Sequence, residues 1–401
     1  MSDSSRSPIV ILALAELLAM SVWFSASAVI PALTGEWGLS SSGQAWLTMA
    51  VQLGFVVGAF GSAVLNLADR IPAPRLFSAS AFLAAILTAL LPVFSQGVNT
   101  AVPLRFLAGM ALAGVYPVGM KVMATWTREN RGWGIGVLVG ALTVGSASPH
   151  LINGLGGGGN WRVVLLTSAG LAGLGGLLAL LFIKEGPYRT GAPKFDWKYA
   201  GRVWREKEIL LANLGYFGHM WELYATWTWV PVFLLASFRL SGIADRWAGL
   251  AAFAVIGVGG AGCLAAGKLA DRFGRTTVTI ISLAVSGACS LLIGLFFGSA
   301  PALVFLVSLV WGFGVVADSA QFSAGISELC PAERTGTALT LQTSLGFLLT
   351  IVTIRLIPAV ERWLTWRWAF VLLAVGPAVG IWAMARLRRL PESAKMACGR
   401  K

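Results

Sequence analysis

Apolar stretches of about twenty residues recur along the chain, each closed by a short polar interval. They run over 8–33, 43–65, 75–94, 101–123, 133–155, 162–183, 208–236, 247–267, 276–297, 301–326, 336–358 and 366–386. A helix of about 20 apolar residues spans the hydrocarbon of a bilayer, so the pattern predicts an all-α membrane protein with twelve transmembrane helices. The alternating ten-residue runs of membrane β-strands are missing from these segments, which excludes a barrel. The polar interval 185–207 divides the segments six and six. The predicted organisation is therefore a six-helix half over 1–184, a linker over 185–207 and a second six-helix half over 208–401.

The polar intervals carry a repeat. Leu67-Ala68-Asp69-Arg70 recurs as Leu269-Ala270-Asp271-Arg272, 202 residues on, and Asn130-Arg131-Gly132 is matched by Glu333-Arg334-Thr335-Gly336 at nearly the same offset. The chain reads as two copies of one unit. Duplication in so apolar a chain points to a solute transporter, whose two similar halves rock about a site between them.

Composition agrees: 57% of residues are hydrophobic, 12% are charged, and mean hydropathy is +0.77, whereas a soluble domain carries about 25% charge. The net charge of +13 points to nucleic acid in a soluble protein, but here it follows topology. With a cytoplasmic N-terminus, 23 Lys and Arg fall in cytoplasmic loops and tails, among them Arg75, Arg128 and Lys268, and five in outer loops: Arg162, Arg239, Arg246, Arg362 and Arg367. Positive charge gathers on the inner side, so both termini are expected in the cytoplasm of a multi-pass cell-membrane protein, the inner membrane in a bacterium. Nucleic acid is not an expected partner; the bilayer is.

Ser25-Ala26-Ser27-Ala28 resembles a signal-peptidase site, but the apolar run continues to Pro31, which favours an uncleaved helix. The four cysteines, Cys263, Cys289, Cys330 and Cys398, give neither a disulfide framework nor metal-ligand spacing. Gly156–Gly159 lacks the preceding strand and following Lys-Ser/Thr of a phosphate cradle. No cofactor or metal is implied. In the linker, Trp197, Tyr199, Val203 and Trp204 interleave with Lys194, Lys198, Arg202, Arg205 and Lys207. Two readings stand, an amphipathic helix on an anionic membrane surface and a solvated tether.

Gly267-Lys268-Leu269-Ala270-Asp271-Arg272-Phe273-Gly274-Arg275 resembles the loop motif of the major facilitator superfamily. Its glycines permit a tight turn, and Asp271 suits a helix N-terminus. The resemblance implies a latch closing the cytoplasmic side through Gly267, Asp271, Arg272 and Arg275, and in the first half through Asp69 and Arg70. The first copy lacks both glycines and contains Pro72 and Pro74, which would stiffen it. Arg105-Phe106-Leu107-Ala108-Gly109 with Gly114 resembles the family's second motif, whose arginine is linked to proton transfer. Gly136, Gly140, Gly145, Pro149 and Gly154 approximate the antiporter motif without its Gly-Pro dipeptide; close helix packing is the alternative. The family also implies a monomer and a central cavity lined by the first and seventh helices.

Ionisable side chains inside a bilayer are costly and are functional candidates by default. Here they are Glu16, Arg105, His150, His219, Glu222, Asp318 and Arg355. His219 and Glu222, three apart on one helical face, form the preferred proton-coupling pair, with a satisfied hydrogen-bonded pair locking that helix to a neighbour as the alternative; Asp318 is a second proton site or a partner for Lys121 or another base. Glu16 lies about 13 Å into its helix by the helical rise, near the depth of His219. It is a candidate to share the proton, bind a substrate cation or pair with Arg105. Arg105 and Arg355 offer planar forks for an anion, Arg355 alternatively snorkelling to the outer interface. Trp221 joins the candidate substrate contacts.

The expected function is secondary active transport of a small solute by alternating access, coupled to protons, with a small organic or inorganic anion as substrate. Glu16–Leu33 and Gln44–Gly61 resemble the branch containing nitrate/nitrite and cyanate-type carriers, although segment 43–65 lacks the arginine of nitrate carriers. The alternative is a proton-driven exporter of hydrophobic or cationic compounds, with Trp221, Trp227 and Trp229 as stacking surfaces and Glu16 or Glu222 as counter-charge. An enzyme is not expected: the two histidines have no metal spacing, and no activated serine or paired acid is evident.

Overall fold

The computed structural model describes residues 3–127, 131–157, 160–188 and 195–400, and the chain there is helical, with no strand among the described residues. Arg128, Asn130, Gly158, Gly159 and Lys194 lie outside them. The first apolar segment is broken: α1 (Asp3–Met20) ends in turns over 21–26, and helix resumes in α2 (Ile30–Trp37). There follow α3 (Ser41–Val64), α4 (Leu67–Arg70) and α5 (Ala73–Phe94), then α6 (Val98–Leu112) and α7 (Tyr116–Trp126), which share one segment interrupted at 113–115. α8 (Arg131–Ile152) and α9 (Trp161–Phe182) precede the linker, which holds only α10 (Trp197–Ala200) and a 3-10 turn at Val203–Arg205. Beyond it come α11 (Lys207–Leu240), α12 (Asp245–Phe273), α13 (Arg275–Leu292), α14 (Pro301–Ala317), α15 (Ser319–Leu329), α16 (Ala332–Ala369), kinked at Thr365, and α17 (Val375–Arg388).

Ten helices among the described residues are long and apolar enough to cross a membrane. They account for ten of the expected segments. The other two, 8–33 and 208–236, are helical but atypical. The first is interrupted, and α11 places Asn213, His219 and Glu222 where apolar residues would stand.

Helices before the linker pack mainly on one another: α3 on α6, α5 on α9, and α1 on α8 and α9. Those after it do likewise, with α12 on α14, α11 on α16 and α17, and α13 on α14 and α17. The two groups meet along α8–α12 and α3–α16. Lipid supplies no hydrophobic drive for helices to associate, so close backbone approach through small residues takes its place. A Cβ at Gly109 of α6 would stand 2.2 Å from the Val51 carbonyl oxygen of α3, a contact only glycine permits.

The two copies of Leu-Ala-Asp-Arg fold differently. The second completes α12, and Gly274, at φ 93°, turns the chain into α13. The first is detached: α3 stops at Val64, Asn66 takes the left-handed conformation at φ 51°, and Leu67–Arg70 form the isolated turn α4 before Pro72 starts α5. Asparagine is among the few non-glycine residues that tolerate this region. Both copies lie at the end of the bundle that carries the linker, here the linker side.

Candidate functional site

Among the described residues, cavities lie between the two helix groups at three levels. A vestibule of about 600 Å³ opens on the far side, its walls including Val29, His150, Asn153, Val232 and Arg246. A second, of about 270 Å³, lies on the linker side beside Asp69, Met120 and Leu339. Between them is a central cavity of about 50 Å³, with rings from Tyr116, Tyr216, Tyr224, Trp227 and Phe347 and hydroxyls from Ser319, Ser323 and Thr343 in its wall. No charged side chain is among its described lining residues. That volume admits a few waters at most.

On its far side the central cavity is stopped by a plug of buried rings. Trp23 and Phe24 come from the interrupted helix, Phe55 from α3, Tyr224 and Trp227 from α11 and Phe347 from α16. Centroid distances are 5.0 Å for Trp23–Phe55, 4.6 Å for Phe55–Phe347, 5.0 Å for Tyr224–Phe347 and 5.7 Å for Phe24–Trp227. Offset and edge contacts at these spacings are favourable beyond simple burial, and the Phe55–Phe347 and Phe24–Trp227 pairs join the two groups.

Arg105 explains why the first helix stays broken. The turns over 21–26 leave carbonyls without helical partners, which is expensive inside a bilayer. The fully buried guanidinium donates to Val22 O at 2.9 Å, Ser25 Oγ at 3.3 Å and Leu47 O at 3.4 Å, and closely to Trp23 O. These contacts occupy the fork expected for an anion, and Arg105 is not among the residues lining the three cavities. Arg355 is exposed on α16, also away from them. Trp221 packs against Gly376 of α17, is not among the residues lining the three cavities, and donates to Leu372 O at 3.1 Å.

The ionisable groups stand one layer behind the central wall. His219 and Glu222 do share a side of α11, yet they take different partners. His219 Nδ1 lies 2.8 Å from Asp318 Oδ1, at the break between α14 and α15, and Glu222 Oε1 accepts from Ser286 Oγ of α13 at 2.6 Å. The pair expected within one helix is thus replaced by contacts to neighbouring helices, because the α14–α15 break brings a carboxylate to the imidazole. All three side chains are at most 1% exposed. Glu16 is fully buried with neither oxygen hydrogen-bonded among the described residues, and it lies against α7, where a Cβ at Gly119 would stand 2.8 Å from Oε2. An ion pair between Glu16 and Arg105 is not formed.

On the linker side, Arg275 grips Glu328 of α15 with contacts of 2.6 and 2.7 Å, and its Nη1 donates to Gln321 Oε1 at 2.7 Å. Asp271 lies against the first turn of α8, its Oδ1 3.0 Å from where a Cβ at Gly132 would stand, and a Cβ at Gly267 would stand 3.1 Å from Gly132 O. Arg400 donates to Asp271 O. Asp69 pairs with Lys121 of α7, while Arg70 and Arg272 are exposed. Lys121 therefore serves Asp69, and Asp318 is taken by His219. The linker is clasped to the protein: Asp196 N donates to Thr337 Oγ1 at 2.9 Å, Tyr199 and Val203 are buried, and the Arg334 guanidinium lies 4.9 Å over the Tyr199 ring. Trp197, 63% exposed, is the most open of the candidate membrane-facing residues, and its ring packs on Phe60 and Phe195.

The plug and the central tyrosines were not singled out as a unit from sequence. A signal was present: Ser21, Ser25 and Ser27 interrupt an apolar run, and serines that return hydrogen bonds to nearby carbonyls mark a distorted helix.

The profile of the Major Facilitator Superfamily matches residues 12–354 and 266–398. The niacin transporter NiaP of Acinetobacter baylyi is 22% identical over 254 residues, 52% of this chain and 54% of that protein. The 4-hydroxybenzoate transporter PcaK of Pseudomonas aeruginosa is 30% identical over 163 residues, 38% of this chain and 32% of that one. The chain thus spans about half or less of the length of these curated relatives. The structure of the proton:xylose symporter XylE superposes with a TM-score of 0.71 at 16% identity, covering 94% of this chain and 95% of that one. With a profile match along nearly its whole length and an all-helical fold shared with a solved member, the chain belongs to the Major Facilitator Superfamily and is a multi-pass membrane protein.

Proposed function

We propose that this transporter carries a small ring-bearing carboxylic acid by alternating access, coupled to protons through His219, Asp318 and Glu222. The observation that carries the proposal is the central cavity, which offers aromatic faces and hydroxyl donors around a space stopped on its far side by the ring plug. Tyr and Trp rings bind a flat solute by stacking, and Tyr, Ser and Thr hydroxyls donate to a carboxylate. Niacin and 4-hydroxybenzoate, the solutes in the relatives' names, are both small aromatic carboxylic acids. The arginines that pointed toward an anion lend less support, since Arg105 is committed to backbone carbonyls and Arg355 is exposed. A proton entering with the solute removes the need for a fixed cation. His219 and Asp318 form a buried imidazole–carboxylate pair able to hold that proton, and intramembrane acids and histidines commonly mark proton relays. The two six-helix halves, 1–184 and 208–401, rock about this cavity, with the linker side in the cytoplasm in keeping with the Lys and Arg distribution. The chain acts as a monomer.

A second reading has its own support. The unpaired Glu16 carboxylate and the aromatic wall also suit an organic cation. Thermal unfolding of the detergent-purified protein separates the two, because a ligand that binds only the folded state raises the melting temperature by mass action. Stabilisation by 4-hydroxybenzoate and nicotinate, with none by tetraphenylphosphonium, is the expected result. The reverse order would transfer the protein to the exporters of hydrophobic cations.

A further inference from the structure

Gln52 sits in the middle of α3, fully buried, and neither its amide nitrogen nor its amide oxygen has a hydrogen-bond partner among the described residues. Its neighbours on the same helical face define where it looks. Thr48, four residues before it, meets Ser27 at 2.7 Å, and Phe55, three residues after it, packs on Trp23 at 5.0 Å and Phe347 at 4.6 Å. Gln52 therefore faces the interrupted stretch of the first helix, at the margin of the ring plug. Two indole N–H groups of that plug, those of Trp23 and Trp227, are unpaired as well. By contrast Ser21, Ser25, Ser27, Thr48 and Arg105, set in the same region, are all bonded. Buried amides without partners are rare because each forfeits its hydration, so groups left in this condition call for a partner that comes and goes.

Alternating access supplies the occasion. Opening the far side parts Tyr224, Trp227 and Phe347 from Trp23, Phe24 and Phe55, and the central cavity then extends to the face that carries Gln52. We propose that Gln52 is a specificity-determining residue, concealed by the closed plug and met by the solute when the plug opens. Its amide N–H donates to a carboxylate oxygen of the ring acid and its amide oxygen accepts from a ring hydroxyl, with the indole N–H groups of Trp23 and Trp227 as further donors. The inference rests on the ring-acid reading above.

The test compares wild type with Gln52→Leu in thermal unfolding titrated with 4-hydroxybenzoate. Without ligand the variant should melt no lower than wild type, since an unpaired amide has been removed. The 4-hydroxybenzoate concentration needed for a given rise in melting temperature should increase about tenfold or more, as expected where a site built to hydrogen-bond its solute loses that group. Equal titrations in the two proteins would overturn the role of Gln52 and leave the ring-acid reading standing. Absence of any stabilisation of wild type would overturn that reading and this inference together. Gln52→Met, unbranched and of similar length, gives the same comparison if the leucine variant does not purify.

Discussion

Replacing Arg105 by lysine separates a residue that holds the backbone from one that holds the solute. The guanidinium reaches three carbonyls and one hydroxyl across two helices; an ammonium is a single point of charge with three donors and cannot span them. Val22 O keeps Ser25 Oγ as a second donor, so the carbonyl most exposed to loss is that of Trp23. An unsatisfied buried acceptor costs about 1–3 kcal/mol, and hydrogen bonds to charged groups are worth about 1.5–3 kcal/mol each. The contacts that the ammonium still makes offset part of this, leaving a net loss of about 2–4 kcal/mol. On the soluble-protein entropy scale of about 2.1 cal/mol/K per residue, this lowers the melting temperature by about 2–5 °C. The turn that carries Trp23 and Phe24 would loosen, and transport should fall alike for charged and neutral solutes. The assay is a melting curve beside competition for uptake by an acid and its amide. An unchanged melting temperature with a selective loss of acid affinity would refute the reasoning and restore Arg105 as a substrate ligand.

Other consequences are open to measurement. Asp318→Asn removes the carboxylate from His219 and should abolish proton-driven accumulation while leaving solute exchange; accumulation equal to wild type would remove this pair from the coupling scheme. Gly109→Ala places a methyl 2.2 Å from Val51 O and should cost about 1–3 kcal/mol by overpacking, read as a lower melting temperature; no loss would show that α3 and α6 are not in backbone contact. At the far side, Glu36 accepts from Trp161 Nε1 at 2.6 Å and pairs with Arg162 at 2.7 Å, and these bonds hold its carboxyl below the ordinary value of 4.5. The unfolded chain therefore takes up the proton first as pH falls. The clamp's contribution is fully present above pH 4.5 and is lost as pH drops through the lower folded-state value. Glu36→Gln should flatten the melting temperature across that window; an unchanged acid limb would show that the clamp adds nothing.

The membrane class, the doubled organisation and the family resemblance were legible because each is a property of long segments or repeated words. Hydropathy averages over twenty residues, and Leu-Ala-Asp-Arg appears twice. What escaped depends on tertiary contact. His219 and Glu222 are three apart on α11, so helical spacing pairs them, yet the partner of His219 comes from the break before Ser319, 99 residues away. Arg105 reads as a free charge until the interrupted helix is seen to need its donors. Asn66 shows the limit of repeat reasoning: one residue in a left-handed turn detaches the first loop copy, so identical tetrapeptides take up different structures. Tyr199 and Val203 have the interleaved pattern of a membrane-surface helix, but α10 is a single turn and both side chains are buried in the protein.

The most direct test of the account is uptake of 4-hydroxybenzoate by proteoliposomes under an inward proton gradient, set against protein-free vesicles because a permeant weak acid follows a pH gradient unaided. Proton-coupled transport should give accumulation above the protein-free level that collapses when an uncoupler dissipates the gradient. Uptake no greater than in protein-free vesicles, or uptake indifferent to the gradient, would contradict proton-coupled transport of a ring acid through this chain.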